Sequence, residues 1–358
     1  MPARTCVAPV SPIRGLSSVH AQGAARGVDH GRHRGVIELG EAKKQVGGND
    51  HPSHAPIVAL PTDTGANRAV KPRSRSTTWC ETEPMDSVDA IVVGAGPNGM
   101  AAAVTLARAG LSVRVYEREQ TIGGGARTMS STLPGFLHDV CSAVHPMALA
   151  SGFFQKFQLD QRIGLRVPDL SYGSPLDGGR AGLAWLDLER TVEGLGIDGP
   201  AWRALMGPLV ERAHQVAQFA GSNVLQVPRH PLAVVHLGLR ILEQGTPLWN
   251  LRFRGDEAPA LMTGVNAHSI LRMPSLSTAA VGLVLATHGH ARGWPIPVGG
   301  SQTIITAMAD DVIAHGGEIV TGTEITSLDE LPPARAILLD TSARALSRIA
   351  RRQLPDRY

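Results

Sequence analysis

Hydrophobic and polar positions show neither a helical nor a strand period over residues 1–84, where Gly, Pro, Ser, His and Arg are mixed and Pro72 to Thr78 is rich in turn formers. This stretch is expected to be a disordered or non-native N-terminal extension before a folded domain that begins near Met85. Its first 35 residues carry several Arg and only Asp29 as an acid, a faint transit-peptide composition, but no clear amphipathic helix and no secretory hydrophobic core. From Val88 the pattern changes. Asp89 to Val93 reads as a strand buried on both faces, Gly94 to Gly99 as a turn, about Asn98 to Ala109 as an Ala-rich helix stopped by Gly110, and Ser112 to Tyr116 as a second strand ending at Glu117. Longer helical segments follow in 146–290, among them Pro200 to Phe219 and Pro231 to Leu242, separated by loops such as Asp177-Gly178-Gly179. Residues 298–340 return to alternation, with a helix from about Ser301 to Ala314, a turn at His315-Gly316-Gly317, and strands at Glu318 to Thr321 and Ala336 to Leu339.

Composition narrows the class. A chain of 358 residues with 43% hydrophobic positions has room for two or three domains with real cores. The formal charge of +3 is Arg-rich and spread along the chain, with no dense basic run beside aromatic residues, so nucleic acid is not an expected partner. Cys6, Cys80 and Cys141 form no close pair, which argues against a disulfide scaffold or a zinc site and favours a reducing, cytoplasmic setting. The same spacing excludes a disulfide reductase, whose chemistry needs a dithiol. The most apolar stretches, such as Thr278 to Thr287, fall short of the roughly 20 residues that span a bilayer, so no transmembrane helix is expected. Pro231 to Leu242 allows either a core face or a peripheral membrane contact.

The candidate chemistry lies in two glycine-rich stretches. With Gly at 40 of 358 positions, GxGxxG should arise by chance about 0.5 times, so the motif alone decides nothing. It occurs twice, at Gly94-Ala95-Gly96-Pro97-Asn98-Gly99 and at Gly194-Leu195-Gly196-Ile197-Asp198-Gly199. Only the first stands between a strand and a helix. There Gly94 permits the tight turn, Gly96 lets the backbone approach a pyrophosphate, Gly99 packs the helix on the strand, and the helix N-terminus favours the negative charge. Glu117, 18 residues after Gly99, is placed to accept hydrogen bonds from an adenosine ribose, and its charge disfavours the 2′-phosphate of NADP. The second match meets Pro200 at once and lacks a strand ending in an acid, so it is expected to be a structural loop. Gly123-Gly124-Gly125-Ala126-Arg127-Thr128 follows six residues beyond Glu117; it can bring backbone and a guanidinium to the pyrophosphate, which would tip the choice from NAD to FAD, while by itself it fits a plain turn equally well. These features predict an α/β fold: a Rossmann-like, doubly wound parallel sheet in two parts, 85–145 and 291–345, around an inserted α+β substrate domain at 146–290, with 346–358 as a tail.

Ile91 to Gly99, Glu117 and Gly123 to Thr128 resemble the amine-oxidase and carotenoid-desaturase superfamily of flavoproteins. Pro134-Gly135-Phe136 with Asp139, Ser142 to Pro146, Ala267-His268-Ser269, Gly293-Trp294-Pro295 to Gly300-Ser301-Gln302, and Gly316-Gly317-Glu318-Ile319 look most like its phytoene-dehydrogenase-like group. The resemblance covers roughly Met85 to Ala350 and implies an FAD-dependent oxidoreductase that takes a hydride from a small apolar substrate, of lipid or isoprenoid type, with an electron acceptor and oligomeric state left open. It implies that Gly94, Ala95, Gly96, Pro97, Asn98 and Gly99 border the FAD pyrophosphate, that Glu117 and Arg118 stand by the adenosine ribose, that Gly124, Gly125, Ala126 and Arg127 line the far side, and that Ile325, in a strand-like Glu324-Ile325-Thr326, presents its backbone to adenine. No catalytic residue is assigned, and no metal. Among 14 histidines, His145 and His268 are expected to be structural, and Asp139 to be a turn or cap residue. The family pattern continues for about a further domain's length (~100 to 200 residues); the chain is therefore expected to be truncated, with the adenosine half of the site intact. The competing expectations are an inactive remnant acting as a binding module, and an NAD-binding dehydrogenase.

Overall fold

The computed structural model describes residues 58–61, 87–222 and 227–355. In chain order the regular elements are β1 (Val58–Pro61), β2 (Val88–Val93), α1 (Pro97–Arg108), β3 (Val113–Tyr116), β4 (Thr128–Met129), β5 (His138–Asp139), α2 (Gly152–Phe157), α3 (Leu159–Arg162), β6 (Leu165–Arg166), β7 (Leu170–Pro175) and β8 (Ala181–Trp185). They continue with α4 (Leu188–Gly194), α5 (Gly199–Val210), α6 (Ala213–Ala220), α7 (Pro231–Gln244), α8 (Glu257–Asn266), α9 (Leu276–Ala291), β9 (Ile296–Pro297), α10 (Gln302–Ala314), β10 (Glu318–Val320), β11 (Ala334–Leu339) and α11 (Ala343–Ile349).

The main sheet has the order β1-β11-β2-β3-β10. The four strands from β11 to β10 run parallel, and β1 is antiparallel to β11 at the edge. Read in chain order, β2, β3, β10 and β11 stand as 3-2-1-4, so the order reverses between β2 and β11; in such sheets a ligand crevice opens at the carboxyl ends of the strands at that point. The strands are apolar on both faces because helices cover both. Ala90, Val92, Val113, Val115 and Leu338 pack with α1, α10 and Phe157 on one side, while Ile91, Val93, Tyr116, Ile337 and Leu339 pack with Ile325, Leu346 and Ile349 on the other. An α/β fold with a Rossmann-like parallel sheet is thus observed.

Three expectations about organisation change. Within the expected N-terminal extension, Val58–Pro61 adds a fifth strand to the sheet; the rest of 1–84 lies outside the described residues. The expected boundary at 146 falls inside the first core, since Ala148, Phe157 and Leu159 are buried against α1 and α10. The expected tail at 346–358 begins within α11, whose Leu346 and Ile349 seal the second face of the sheet.

The intervening region is a helical unit with the β7–β8 hairpin, centred on Trp202, Leu205, Met206, Leu261, Met262 and Leu283. The single helix expected over 200–219 is split: Pro208 offers no backbone N–H, and α5 ends at Val210 before α6 starts at Ala213. Helix α7 is apolar on two sides, burying Ala233 and Leu237 while Leu232, Val235, Leu239 and Leu242 stay exposed. Among the described residues no helix is long and apolar enough to cross a membrane, and no cluster of His, Cys, Asp or Glu could hold a metal ion.

Candidate functional site

The site grows from the end of β2. Gly94 turns with φ +106°, a conformation that side chains rarely adopt, and donates its N–H to the Tyr116 carbonyl at 2.8 Å. A Cβ on Gly94 would lie 2.3 Å from the backbone oxygen of Asp340, and one on Gly99 would lie 2.1 Å from the oxygen of Gly94. These two glycines therefore fix how tightly α1 packs on the turn and on the end of β11. Gly96 differs, because the protein atom nearest its absent Cβ is Asp340 Oδ2 at 3.2 Å. Apart from that oxygen, no atom beyond its chain neighbours and its own helix comes within 4 Å of this position among the described residues. Helix α1 begins with Gly96 as N-cap and Pro97 in its first turn, with no side-chain cap from its own N-cap residue. Its N–H groups face the carboxyl ends of β2, β3 and β11, the arrangement that attracts an anion.

Two carboxylates meet this turn. Glu117, at the end of β3, is buried; Oε2 accepts from the Ala95 N–H at 2.9 Å and Oε1 from the Glu119 N–H at 3.0 Å. A carboxylate offers about four lone-pair positions, so Glu117 can hold the turn and still accept from a sugar hydroxyl. Asp340, directly after β11, places Oδ2 2.7 Å from the Gly99 N–H and anchors its own backbone by donating to the Val93 carbonyl at 2.8 Å. Burial pushes the Asp340 carboxyl up to about 6; the Gly99 N–H opposes this rise and the charge of Glu117 adds to it. Sequence reasoning missed Asp340, which is 241 positions from Gly99. The available signal was an acid directly following the apolar run that ends at Leu339, the same pattern that marked Glu117.

The second glycine loop packs against the first. Gly123 N–H donates to the Ala95 carbonyl at 2.8 Å, and a Cβ on Gly124 would come within 3.1 Å of Gly96 Cα. The two loops touch. Ala126 is buried, Gly125 is exposed, and Arg127 directs Nε to the Gly124 carbonyl at 3.0 Å, bracing its own loop. Arg118 points outward and pairs with Glu119. Pro97 is exposed and Asn98 half-buried. Glu324-Ile325-Thr326 forms no strand; Ile325 buries its side chain beside Val93 and Tyr116, two residues after Thr323 donates its N–H to the Glu117 carbonyl at 2.9 Å.

A neighbouring polar cluster joins the two parts of the sheet domain. Asp139 Oδ1 accepts from the Ser301 N–H at 2.8 Å and from the Thr128 hydroxyl at 2.5 Å, while the Ser301 hydroxyl meets the Ser142 carbonyl and His145 Nε2. Asp139 thus has a structural role, tying Thr128 to Ser301 at the start of α10. Burial holds His145 below its ordinary value, against the pull of Asp139. His268 is exposed and lies edge-on to Trp294. The second GxGxxG match is a turn between α4 and α5, where Asp198 accepts the N–H groups of Arg254 and Gly255.

Residues 92–157 match the family model described as an NAD(P)-binding Rossmann-like domain. An uncharacterized protein of Mycobacterium tuberculosis, Rv0897c, is 28% identical over 276 residues, covering 67% of this chain and 48% of that protein. The rat pyridine nucleotide-disulfide oxidoreductase domain-containing protein 2 is 25% identical over 317 residues, covering 72% of this chain and 49% of its own length. The chain spans about half the length of these curated relatives. Among solved structures, cyclohexylamine oxidase from Brevibacterium oxydans aligns over 71% of this chain and 56% of its own at 20% identity, with a TM-score of 0.38.

Proposed function

We propose that this chain is the dinucleotide-holding part of an FAD-dependent oxidoreductase of the phytoene-dehydrogenase-like kind. The observation that carries the reading is the contact between Gly124 and Gly96, which sets a second glycine loop against the first at the head of α1. NAD and FAD share the same diphosphate; what favours FAD is that this second loop, Gly123 to Thr128, resembles the one that follows the first in the amine-oxidase and carotenoid-desaturase flavoproteins. The fit is further supported by the open space at Gly96, by an N-terminus of α1 without a cap from its own N-cap residue, and by Glu117 at the end of β3.

Gly96 and the first turn of α1 would receive the diphosphate, Glu117 the adenosine ribose, and Gly124 and Gly125 the far side of the diphosphate, with Arg127 bracing that loop. The segment after Thr323, which buries Ile325, would run beside the adenine. Bound FAD would supply a hydride acceptor for a substrate C–H. The helical unit built on α5, α7, α8 and α9 would shape the pocket for an apolar substrate, lipid or isoprenoid in class. His145, tied to Ser301, acts as a brace between the parts of the domain.

The test is purification followed by reconstitution. Flavin absorbance that co-purifies, or that is restored by added FAD and retained through gel filtration, supports the reading. Tight NADH binding without FAD retention would favour an NAD-binding dehydrogenase, the alternative suggested by the NAD(P)-binding description of the matched domain.

A further inference from the structure

We propose that Asp340 keeps the diphosphate seat while no nucleotide is present and yields it by taking up one proton, so that dinucleotide binding by this chain is coupled to protonation of a single carboxyl group. The proposal rests on the reading of the β2–α1 turn as a dinucleotide site, and it assigns Asp340 as the positioning residue that regulates that site.

The geometry is specific. Asp340 stands where the strand order reverses, between β2 and β11. All three glycines of the fingerprint face it: its backbone oxygen is 2.3 Å from the absent Cβ of Gly94, and its Oδ2 lies 3.2 Å and 3.0 Å from those of Gly96 and Gly99. The carboxylate therefore borders the space that Gly96 leaves open for phosphate. It also supplies the cap that α1 lacks from its own N-cap residue, through the 2.7 Å bond to the Gly99 N–H.

The groups around it determine the direction of the effect. Glu117 faces it from β3 and adds negative charge. The first turn of α1 carries no acid, Arg127 of the glycine loop spends Nε on the Gly124 carbonyl, and Arg344 in its own following helix is exposed. Among the described residues no cation pairs with Asp340. A diphosphate placed beside Gly96 would bring a further negative charge against this carboxylate. Taking a proton from solvent removes the repulsion: the neutral acid still accepts the Gly99 N–H through its carbonyl oxygen and offers its O–H to a phosphate oxygen.

The free carboxyl titrates at about 6, and a bound dianion moves it higher. Between these two values binding consumes a proton, and the dissociation constant climbs by up to about tenfold per pH unit. Below the lower value it is flat.

The experiment uses the full chain, with FAD as probe and NADH as a second probe, titrated by fluorescence between about pH 5.5 and 8.5. Calorimetry near pH 7.5 in buffers of different ionisation enthalpy counts the protons taken up. Wild type should lose FAD affinity as pH rises and take up about one proton. Asp340→Asn keeps an acceptor for the Gly99 N–H; it should flatten the profile and bind FAD about tenfold or more tightly than wild type near pH 8. Measurable FAD binding with a flat wild-type profile overturns the proposal and leaves the site reading intact. So does a slope that survives in Asp340→Asn and disappears in Glu117→Gln. If neither probe binds wild type or variant at any pH, the site reading fails and takes the proposal with it.

Discussion

Separate replacement of Gly99 and Gly96 by alanine distinguishes packing from ligand space within one turn. At position 99 the new methyl carbon would sit 2.1 Å from the oxygen of Gly94. An ordinary carbon to oxygen contact is above about 3 Å, so α1 must back away by about 1 Å. Eight residues of α1 are buried, and such overpacking costs about 1–3 kcal/mol, offset by at most about 1 kcal/mol of helix propensity. The shift also stretches the Gly99 to Asp340 hydrogen bond, worth about 1 kcal/mol. Gly99→Ala should therefore lose about 2 kcal/mol of unfolding free energy. At position 96 the backbone is extended, with φ −74° and ψ 176°, which any residue adopts, and the nearest atom is 3.2 Å away. Alanine is a poorer N-cap than glycine, a loss of under about 1 kcal/mol. The methyl group enters the space assigned to the diphosphate, so Gly96→Ala should weaken FAD binding by at least about tenfold, or about 1.4 kcal/mol. Urea unfolding reads the first quantity and FAD titration the second. Unchanged FAD affinity in Gly96→Ala, or wild-type stability in Gly99→Ala, would refute this division of labour.

Two other substitutions test the scaffold and the decoy. Arg108 grips Asp311 through two hydrogen bonds of 2.7 Å, and Arg162 adds a third contact at 3.1 Å, tying α1, α3 and α10 together. Asp311→Asn should cost about 2 kcal/mol at neutral pH. Arg108 holds the Asp311 carboxyl below its ordinary value, so this stabilisation is complete above the unfolded value near 4 and is lost as pH falls through the lower folded one; urea midpoints of wild type and variant should converge in acid. In the second glycine match, Gly196 has φ +51° with no atom near its absent Cβ. Gly196→Ala should cost about 1 kcal/mol from backbone strain alone and leave FAD and NADH titrations unchanged; a shift in either would reopen that loop as a ligand site.

The strand, turn and helix from Val88 to Arg108 were legible because their causes are local. A short apolar run, a glycine turn and an alanine-rich period each act within a few residues. Glu117 was legible for the same reason, at a fixed distance along one βαβ unit. The structural role expected of the Gly194 to Gly199 loop also followed from short-range chemistry, a helix breaker, whereas the contact Asp139 makes at the start of α10 spans 162 positions. What escaped was non-local. Ala148, Phe157 and Leu159 are unremarkable apolar residues, and only the packed chain shows that they join the first core. The edge pairing of Val58–Pro61 with β11 spans most of the chain and leaves no periodic trace. Asp340 combined both difficulties: a single residue without a motif, brought to Gly99 only by strand order.

The presence of two carboxylates at an anion seat follows from what the turn requires when empty. Ala95 and Gly99 direct N–H groups inward, and a buried donor without an acceptor costs about 1–3 kcal/mol. Glu117 and Asp340 supply these acceptors, so the turn holds its shape before any ligand arrives. The two acids are not held alike. Glu117 is fixed through both oxygens, to Ala95 and to Glu119, whereas the side chain of Asp340, among the described residues, has the single bond to Gly99. A diphosphate entering beside Gly96, as proposed, would therefore meet one acid that is locked and one that can change state. On the proposed reading, Glu117 would stay to meet the sugar, and the protonation of Asp340 would set how readily the phosphates are admitted.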